Sequence, residues 1–282
     1  MHRLAGGNEN RWLALPLAVV VVVAFDLPLV WMMMQSVVDP APTTDNYREI
    51  ASSSTYLGVM ERTLWMSLAA TAVCVVLGYV VAYWIVSLPG SWQLVALAFV
   101  ILPFWVSILV RTYAWVVMLG SRGVVNETLI GLGITGQPIS FLYQPVGVLV
   151  GMVNVLLPFV TLPLMAAMRQ VDPHLLKAAR TLGSKRSGVF FRVFLPSTVA
   201  TLSACTLLLF VLALGFFITP AILGGGRVPL IATVLETLIN GFPDWGLAAA
   251  LSVVVVLSAF VVIGLQSLVV RLVPGGRQGG VL

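Results

Sequence analysis

Charged side chains are rare in this sequence, and a third of the basic ones lie in one short segment. Residues 171–196 hold five of the fifteen Lys and Arg residues: Lys177, Arg180, Lys185, Arg186 and Arg192. Long apolar runs precede and follow this segment. Clustered basic side chains of this kind can bind anionic lipid headgroups or the surface of a partner protein.

The same segment carries the signals of a short helix with defined ends. Asp172 is a good N-cap, Pro173 suits the first helical position, and Gly183 fits a left-handed C-cap. Its apolar side consists of Leu175, Leu176, Ala178, Ala179 and Leu182. The residues alone leave two interpretations: an amphipathic helix at the membrane surface, or a helix that docks into a groove of a partner protein.

Two further charges, Asp26 and Arg111, lie inside apolar runs. A charge at membrane depth is costly and tends to face a pathway or a partner. Such residues either form structural pairs or snorkel, or they line a translocation route. For a cationic solute the acidic candidates are Asp26, Glu236 and Asp244, of which only Asp26 lies within a run.

Aromatic residues and a broken helix add weaker candidates. The side chains of Trp105, Tyr113, Phe216 and Phe217 could offer a cation–π surface to an amine, or could anchor helix ends at the membrane interface. In residues 219–241, "TPAILGGGRVPLIATVLETLING", a proline and three glycines interrupt the helical pattern. Such breaks at membrane depth line a cavity or are buried in protein. This segment is therefore either part of the substrate's entry or an ordinary loop.

Composition shows which elements must position these residues. The 282 residues are 60% apolar and only 9% charged, and the mean hydropathy is +1.05. A soluble domain normally has about 25% charged residues. Six runs reach the ~20 residues that a spanning helix needs. We therefore predict an all-α membrane protein with one domain over 1–282 and spans near 12–35, 62–88, 92–119, 144–168, 197–222 and 245–271.

The distribution of basic residues predicts the orientation. With the N-terminus inside, ten basic residues fall on the cytoplasmic side: Arg3, Arg11, Arg169, Lys177, Arg180, Lys185, Arg186, Arg192, Arg271 and Arg277. Four fall on the opposite side: Arg48, Arg62, Arg122 and Arg227. Cytoplasmic loops carry an excess of Lys and Arg. Both termini and residues 169–196 are therefore predicted to lie in the cytoplasm.

The spacing within residues 177–196 resembles the cytoplasmic "EAA" loop of ABC importer permeases. That pattern reads Glu-Ala-Ala, three residues, Gly, nine residues, Ile-x-Leu-Pro. Here Ala178 and Ala179 precede Gly183 at the same spacing, and nine residues separate Gly183 from "VFLP", which ends in Leu195 and Pro196. The sequence departs from the pattern in having Lys177 for Glu and Val193 for Ile.

The resemblance extends over most of the chain. The stretches "LPFWVSILVRTYAWVVMLG" (102–120), "GVVNETLIGLGI" (123–134), "LPFVTLPLMAAM" (157–168) and "LGFFITPAILGGGR" (214–227) look like the spermidine/putrescine permease family. This resemblance implies the type I importer permease fold, a second permease, usually a different chain, two copies of a cytoplasmic ATPase, and an extracytoplasmic binding protein. It also implies that the helix around Pro173–Leu182 is the coupling helix, so residues 169–196 are called the coupling segment below. The expected solute is a polyamine, with another small amine, an amino-acid derivative or a phosphonate as alternatives.

The sequence excludes several kinds of chemistry. The two lysines, Lys177 and Lys185, do not follow a glycine, so the chain has no phosphate-binding loop of the G-x-x-x-x-G-K-[ST] type. ATP and Mg are expected on the partner ATPase and no cofactor on this chain. The two cysteines and two histidines lack metal-ligand spacing. An intramembrane enzyme is disfavoured because the six apolar runs hold only one carboxylate, Asp26. A channel or secondary transporter remains an alternative, although the coupling segment argues against it.

Overall fold

A computed structural model describes residues 11–38 and 42–272 of the chain. Within these residues all regular structure is helical, and six segments are long and apolar enough to cross a membrane: Ala18–Val38, Ser54–Ser87, Ile108–Gly131, Pro145–Arg169, Arg186–Leu214 and Trp245–Leu268. The predicted fold class is therefore confirmed. Arg3 and Arg277, whose charges bear on the predicted orientation, lie outside the described residues.

The described chain forms two compact units. The first contains the described residues of 1–57 together with 235–256. Its helices are α1 (Arg11–Val21), α2 (Leu27–Val38) and α3 (Asp45–Ser52), and a π-helical turn at Val22–Asp26 joins the first two. The end of α2 is tied to α3 because the hydroxyls of Ser36 and Tyr47 lie 2.8 Å apart.

The second unit contains residues 58–234 and the described residues from 257 onward. Its helices are most of α4 (Ser54–Ser87), then α5 (Gly90–Trp105), α6 (Ile108–Leu119), α7 (Val124–Gly131), α8 (Pro145–Arg169), α9 (Pro173–Thr181), α10 (Arg186–Val189), α11 (Leu195–Leu214), α12 (Ile218–Gly224), and parts of α13 (Ile231–Glu236) and α14 (Trp245–Leu272). Both α13 and α14 cross the boundary between the units.

The apolar run at 92–119 forms two helices instead of one. α5 ends at Trp105, and Val106 has an extended backbone with φ −83° and ψ 133° before α6 begins at Ile108. Pro103 lies in the last turn of α5, where a proline removes one backbone donor and weakens the helix. Hydropathy cannot show this break because both helices are apolar.

α8 lies at the centre of the second unit, packed against α5, α6, α11 and α12. Two glycines permit close approach: a Cβ at Gly78 of α4 would overlap Val160, and a Cβ at Gly151 would overlap Thr219 of α12. Small residues at helix contacts are a general device of membrane bundles. The helices that flank the coupling segment, α8 and α11, thus belong to one packed body.

Candidate functional site

The coupling segment begins with α9, whose two ends are formed as the sequence predicts. A carboxylate oxygen of Asp172 accepts a hydrogen bond of 2.8 Å from the backbone N–H of His174, and Pro173 is the first helical residue. At the other end Gly183 has φ +83°, the left-handed conformation that favours glycine. These caps define a two-turn helix immediately after the end of α8.

The apolar side of α9 is divided between the protein interior and the surface, contrary to our prediction of one stripe. Leu176 packs against the hydrophobic core of the unit, and Ala179, three residues later, is half-buried. Leu175 is 54% exposed and Leu182 is 86% exposed. Residues three to four apart share a helix face, so Leu176 and Ala179 fix α9 to the bundle. Leu175 and Leu182 remain exposed and could contact a partner.

The coupling segment also exposes basic side chains. Lys177 and Arg180 in α9 are exposed, and so are Lys185 and Arg186 at the start of α10. Leu195 and Pro196, by contrast, are half-buried at the start of α11. The exposed part of the coupling segment is therefore a basic surface with two leucines, suited to an apolar and acidic groove.

A cluster of aromatic rings anchors the second half of the coupling segment to α4. Phe190 and Phe194 lie in a π-helical turn, Phe190–Phe194, and their ring centroids are 5.9 Å apart in a stacked pair. Tyr83 of α4 packs edge-on against both, at 5.5 and 5.4 Å. Such aromatic contacts stabilise a structure beyond their buried area. A movement of the coupling segment would therefore displace α4 through these ring contacts.

A second link joins the end of α8 to the turn between α4 and α5. The Arg169 guanidinium donates a 2.9 Å hydrogen bond to the side-chain oxygen of Gln93. The Gln93 amide group in turn donates to the backbone oxygens of Val86 and Leu88, at 3.1 and 2.7 Å. We call these four residues the Gln93 clamp. It satisfies carbonyls that a helix end otherwise leaves unpaired.

Four of the predicted pathway residues of the second unit lie on two helices in contact, α6 and α12, or directly before α12. Arg111 and Tyr113 are on α6, and Phe216 and Phe217 precede α12. The Thr112 and Thr219 hydroxyls, 3.4 Å apart, join the two helices. Trp105, at the end of α5, is 86% exposed. The structure thus brings most of these residues to one pair of helices.

The acidic candidates belong to the first unit. Asp26 is exposed in the π-helical turn of the first span, and Glu236 is exposed at the end of α13. Asp244 is exposed too, but its carboxylate accepts a 3.0 Å hydrogen bond from the backbone N–H of Leu247. Its role as a helix cap therefore explains the presence of an acidic residue at position 244, and no contact with a solute is needed.

The connection before α8 is held by its own polar contacts. The buried Asn126 side chain bonds to Gly120 O and to both backbone groups of Ile139, at 2.8–3.0 Å. Tyr143 has φ +62°, which is unusual for a bulky residue. Its ring fills the space over Gly225, and its N–H donates to Leu223 O at 2.9 Å.

Comparison with known proteins identifies the family. No protein-family model matches the chain. Over 227 residues, 80% of this chain and 81% of the relative, it is 35% identical to the spermidine/putrescine transport system permease protein PotB of Escherichia coli. The chain belongs to the spermidine/putrescine-type family of ABC importer permeases. This permease is thus a multi-pass inner-membrane transport protein. A putative 2-aminoethylphosphonate transport system permease of Salmonella typhimurium is 33% identical over 200 residues, covering 68% of each chain.

Solved structures support the fold of the permease. A bacterial ABC transporter that imports the acidic polysaccharide alginate contains a chain that matches with a TM-score of 0.76, covering 93% of this permease and 95% of that chain. A bacterial alginate ABC transporter in complex with a periplasmic protein bound to an alginate pentasaccharide matches with a TM-score of 0.75, with 91% of each chain covered. Sequence identity is 18% in both cases, so the likeness concerns the fold.

Sequence reasoning did not find the links that lie behind the coupling segment. Gln93 and Arg169 are 76 residues apart, and Tyr83 and Phe190 are farther apart still in the sequence. The one local signal was the run of aromatic residues "FFRVF" at 190–194, which is more apolar than a solvated loop requires.

Proposed function

We propose that this permease forms half of the translocation pathway of an importer for a polyamine of the spermidine/putrescine type. Support comes from the 35% identity to a permease named for these solutes. Asp26, an exposed carboxylate within the first span, is suited to a cationic solute. Trp105, Tyr113 and the two phenylalanines before α12 would supply cation–π contacts to ammonium groups.

The coupling segment is the part of this chain that receives force from the motor. Both termini and residues 169–196 lie in the cytoplasm in this proposal, and α9 docks into a groove of an ATPase subunit. The observation that carries it is the division of α9: Leu176 is fixed to the core, while Leu175 and Leu182 are exposed among basic side chains. ATP and Mg bind to the ATPase pair, and this chain holds no cofactor.

Two structural links would carry the force from α9 into the spans. The Gln93 clamp connects the residue that ends α8 to the turn between α4 and α5. The rings of Phe190 and Phe194 connect the second half of the coupling segment to α4. ATP-driven closure of the ATPase pair would move α9, and these links would tilt α4 and α5 with it.

The remaining partners follow from the architecture of such importers. A second permease, a different chain in this proposal, supplies the other half of the pathway. An extracytoplasmic binding protein delivers the solute. The alginate transporter, whose permease shares this fold, is itself solved in complex with a periplasmic protein, which supports this arrangement.

Purification from the native membrane tests the assembly. We expect an ATPase subunit and a second permease to accompany the wild-type chain, and the ATPase to be lost from Gly183→Asp. The matched control is Gly133→Asp, because Gly133 also has positive φ and, as at Gly183, a Cβ would meet open space. Absence of any ATPase from the wild-type complex, under conditions that preserve known importers, would contradict the proposal.

Uptake by the assembled complex tests the solute. We expect labelled spermidine or putrescine to be taken up, and Asp26→Asn to reduce uptake of the cation much more than uptake of a neutral solute. Equal effects on both would contradict charge recognition by Asp26. Because one relative is named for 2-aminoethylphosphonate, competition by that compound shows whether a phosphonate is preferred to a polyamine.

A further inference from the structure

Arg111 is a partly buried cation whose guanidinium has enclosed nitrogens without a partner among the described residues. It lies in the first turn of α6, directly after the break at Val106 and Ser107. Its Nε and one terminal nitrogen, Nη1, are enclosed and have no hydrogen-bond partner within the described residues. Buried polar groups in native proteins are nearly always bonded, so each exception requires an explanation. A guanidinium cannot become neutral by losing its proton.

The unit to which Arg111 belongs does not supply the missing anion. Its described residues contain three carboxylates, Glu61, Glu127 and Asp172, all exposed, and none of them pairs with Arg111. The neighbouring hydroxyl of Thr112 donates instead to Ile108 O at 2.7 Å. No carboxylate in the described part of this unit therefore serves as a counter-ion for Arg111.

The position of Arg111 on α6 indicates where a counter-ion would come from. Val110, Tyr113 and Val117 are 60%, 59% and 72% exposed, and they form one apolar face of the helix. Arg111 lies at the edge of that face, on the same side as Ala114 and Met118, three and seven residues later. A chain that packs on this face could place an acidic side chain against the guanidinium.

We infer that a carboxylate of the second permease binds Arg111 across the interface between the two permeases. The inference rests on the proposed function, which supplies both the second permease and the nature of the solute. A polyamine carries only positive charge and would be repelled by an unpaired guanidinium, so the solute cannot be the partner. A carboxylate matches the planar guanidinium with two parallel hydrogen bonds, and it would neutralise the charge before the solute passes.

Charge exchange in the complete transporter tests this pair. We expect Arg111→Glu to lower spermidine uptake about tenfold or more and to reduce the amount of second permease that copurifies, because two carboxylates would then oppose each other. Arg122→Glu, a change of the same charge in the exposed turn after α6, should leave uptake within about twofold. Each Asp and Glu in the spans of the second permease is then replaced by Arg in the Arg111→Glu background. One exchange should restore most of the uptake, which also shows that Arg111→Glu folds.

Three results would overturn the inference. Full activity of both Arg111→Glu and Arg111→Gln would show that no counter-ion is needed. Rescue of Arg111→Glu by Asp26→Arg would place the pair within this chain. Failure of every exchange, with Arg111→Lys fully active, would point to a lipid phosphate. These results differ from a failure of the proposed function itself. In that case the wild-type complex would lack the second permease or would not take up spermidine.

Discussion

Two helices that flank α8 end in the same way but face different surroundings. α7 is followed directly by Leu132 and Gly133, and α9 is followed directly by Leu182 and Gly183. In each case the glycine has positive φ, +71° and +83°. The N–H groups of the glycine and the residue after it return to carbonyls three and five residues earlier, at 2.9–3.1 Å. The backbone ending is therefore the same Schellman motif at both places.

The two ends differ in charge and in the residues that accompany the motif. α7 carries one acidic residue, Glu127, whereas α9 carries Lys177 and Arg180 and is followed by Lys185 and Arg186. A Schellman motif stabilises a helix end wherever it occurs. The comparison therefore teaches that the backbone defines the shape of the end of α9, while the basic side chains of α9 and α10 are what distinguish it from the end of α7.

The largest effect on uptake is expected from a charge placed at the exposed leucine. Leu182→Asp should lower uptake about tenfold, because an apolar contact of ~1.4 kcal/mol is replaced by a carboxylate that must be desolvated. Leu132→Asp is the matched control, since Leu132 is 69% exposed at the same position of its helix. Uptake in vesicles and the amount of bound ATPase measure the difference. Equal losses in both variants would show that α9 has no special role.

A smaller effect is expected from straining the two glycines. Gly183→Ala and Gly133→Ala should each cost about 1–2 kcal/mol of local stability, because a residue with a Cβ is strained in the left-handed region. Only Gly183→Ala should reduce uptake, by about threefold, since it alone alters the end of α9. Hydrogen exchange of the two segments checks the local stability. An unchanged rate of hydrogen exchange around Gly183 in Gly183→Ala would contradict the expected backbone strain.

The Gln93 clamp should change coupling more than stability. Gln93→Leu removes three hydrogen bonds, so ATP hydrolysis should continue while less solute is moved per ATP, by about twofold. Gln266→Leu is the control, because Gln266 donates a 2.7 Å hydrogen bond to Ser203 O in α11, outside the coupling segment. The ratio of solute moved to ATP hydrolysed is the measurement. If Gln93→Leu moves as much solute per ATP as the wild type, the Gln93 clamp does not transmit the movement of α9 to the spans.

The smallest effect on transport is expected at the connection before α8. Asn126→Ala removes three hydrogen bonds of a buried side chain and leaves the Ile139 N–H without its side-chain acceptor, which should lower stability by ~1–3 kcal/mol. Thermal unfolding of the purified complex should shift downward, while uptake per folded molecule stays unchanged. A drop in uptake per folded molecule would show that this connection also takes part in transport.

Local features of the fold could be predicted from the sequence, whereas contacts between distant residues could not. Asp172, Pro173 and Gly183 act within one or two turns, so their types and spacing predicted both ends of α9. Five of the six membrane-crossing segments follow from hydropathy in the same way, whereas the predicted span at 92–119 is two helices and the third segment is Ile108–Gly131. The break between α5 and α6 was missed because Val106 and Ser107 do not interrupt the apolar pattern. The Gln93 clamp was missed because its two side chains come from distant parts of the chain.

The candidate site shows the same limit. The sequence identified the leucines and basic residues of α9, but it could not show that Leu176 turns inward and Leu182 outward, since that depends on which face meets the core. It also identified Arg111 as a charge within a span. Only the structure shows that two of its nitrogens are enclosed and have no hydrogen-bond partner among residues 11–38 and 42–272.

Cross-linking from the two equivalent leucines tests the central claim most directly. The chain's two cysteines, Cys74 and Cys205, are buried at 0% and 4% exposure, so a new surface cysteine would be the main reactive thiol. Leu182→Cys and Leu132→Cys would be treated with a short thiol–amine cross-linker in the assembled complex. The account predicts a product with the ATPase from Leu182→Cys alone. A product from Leu132→Cys, or no ATPase product from either in a complex that contains the ATPase, would contradict it.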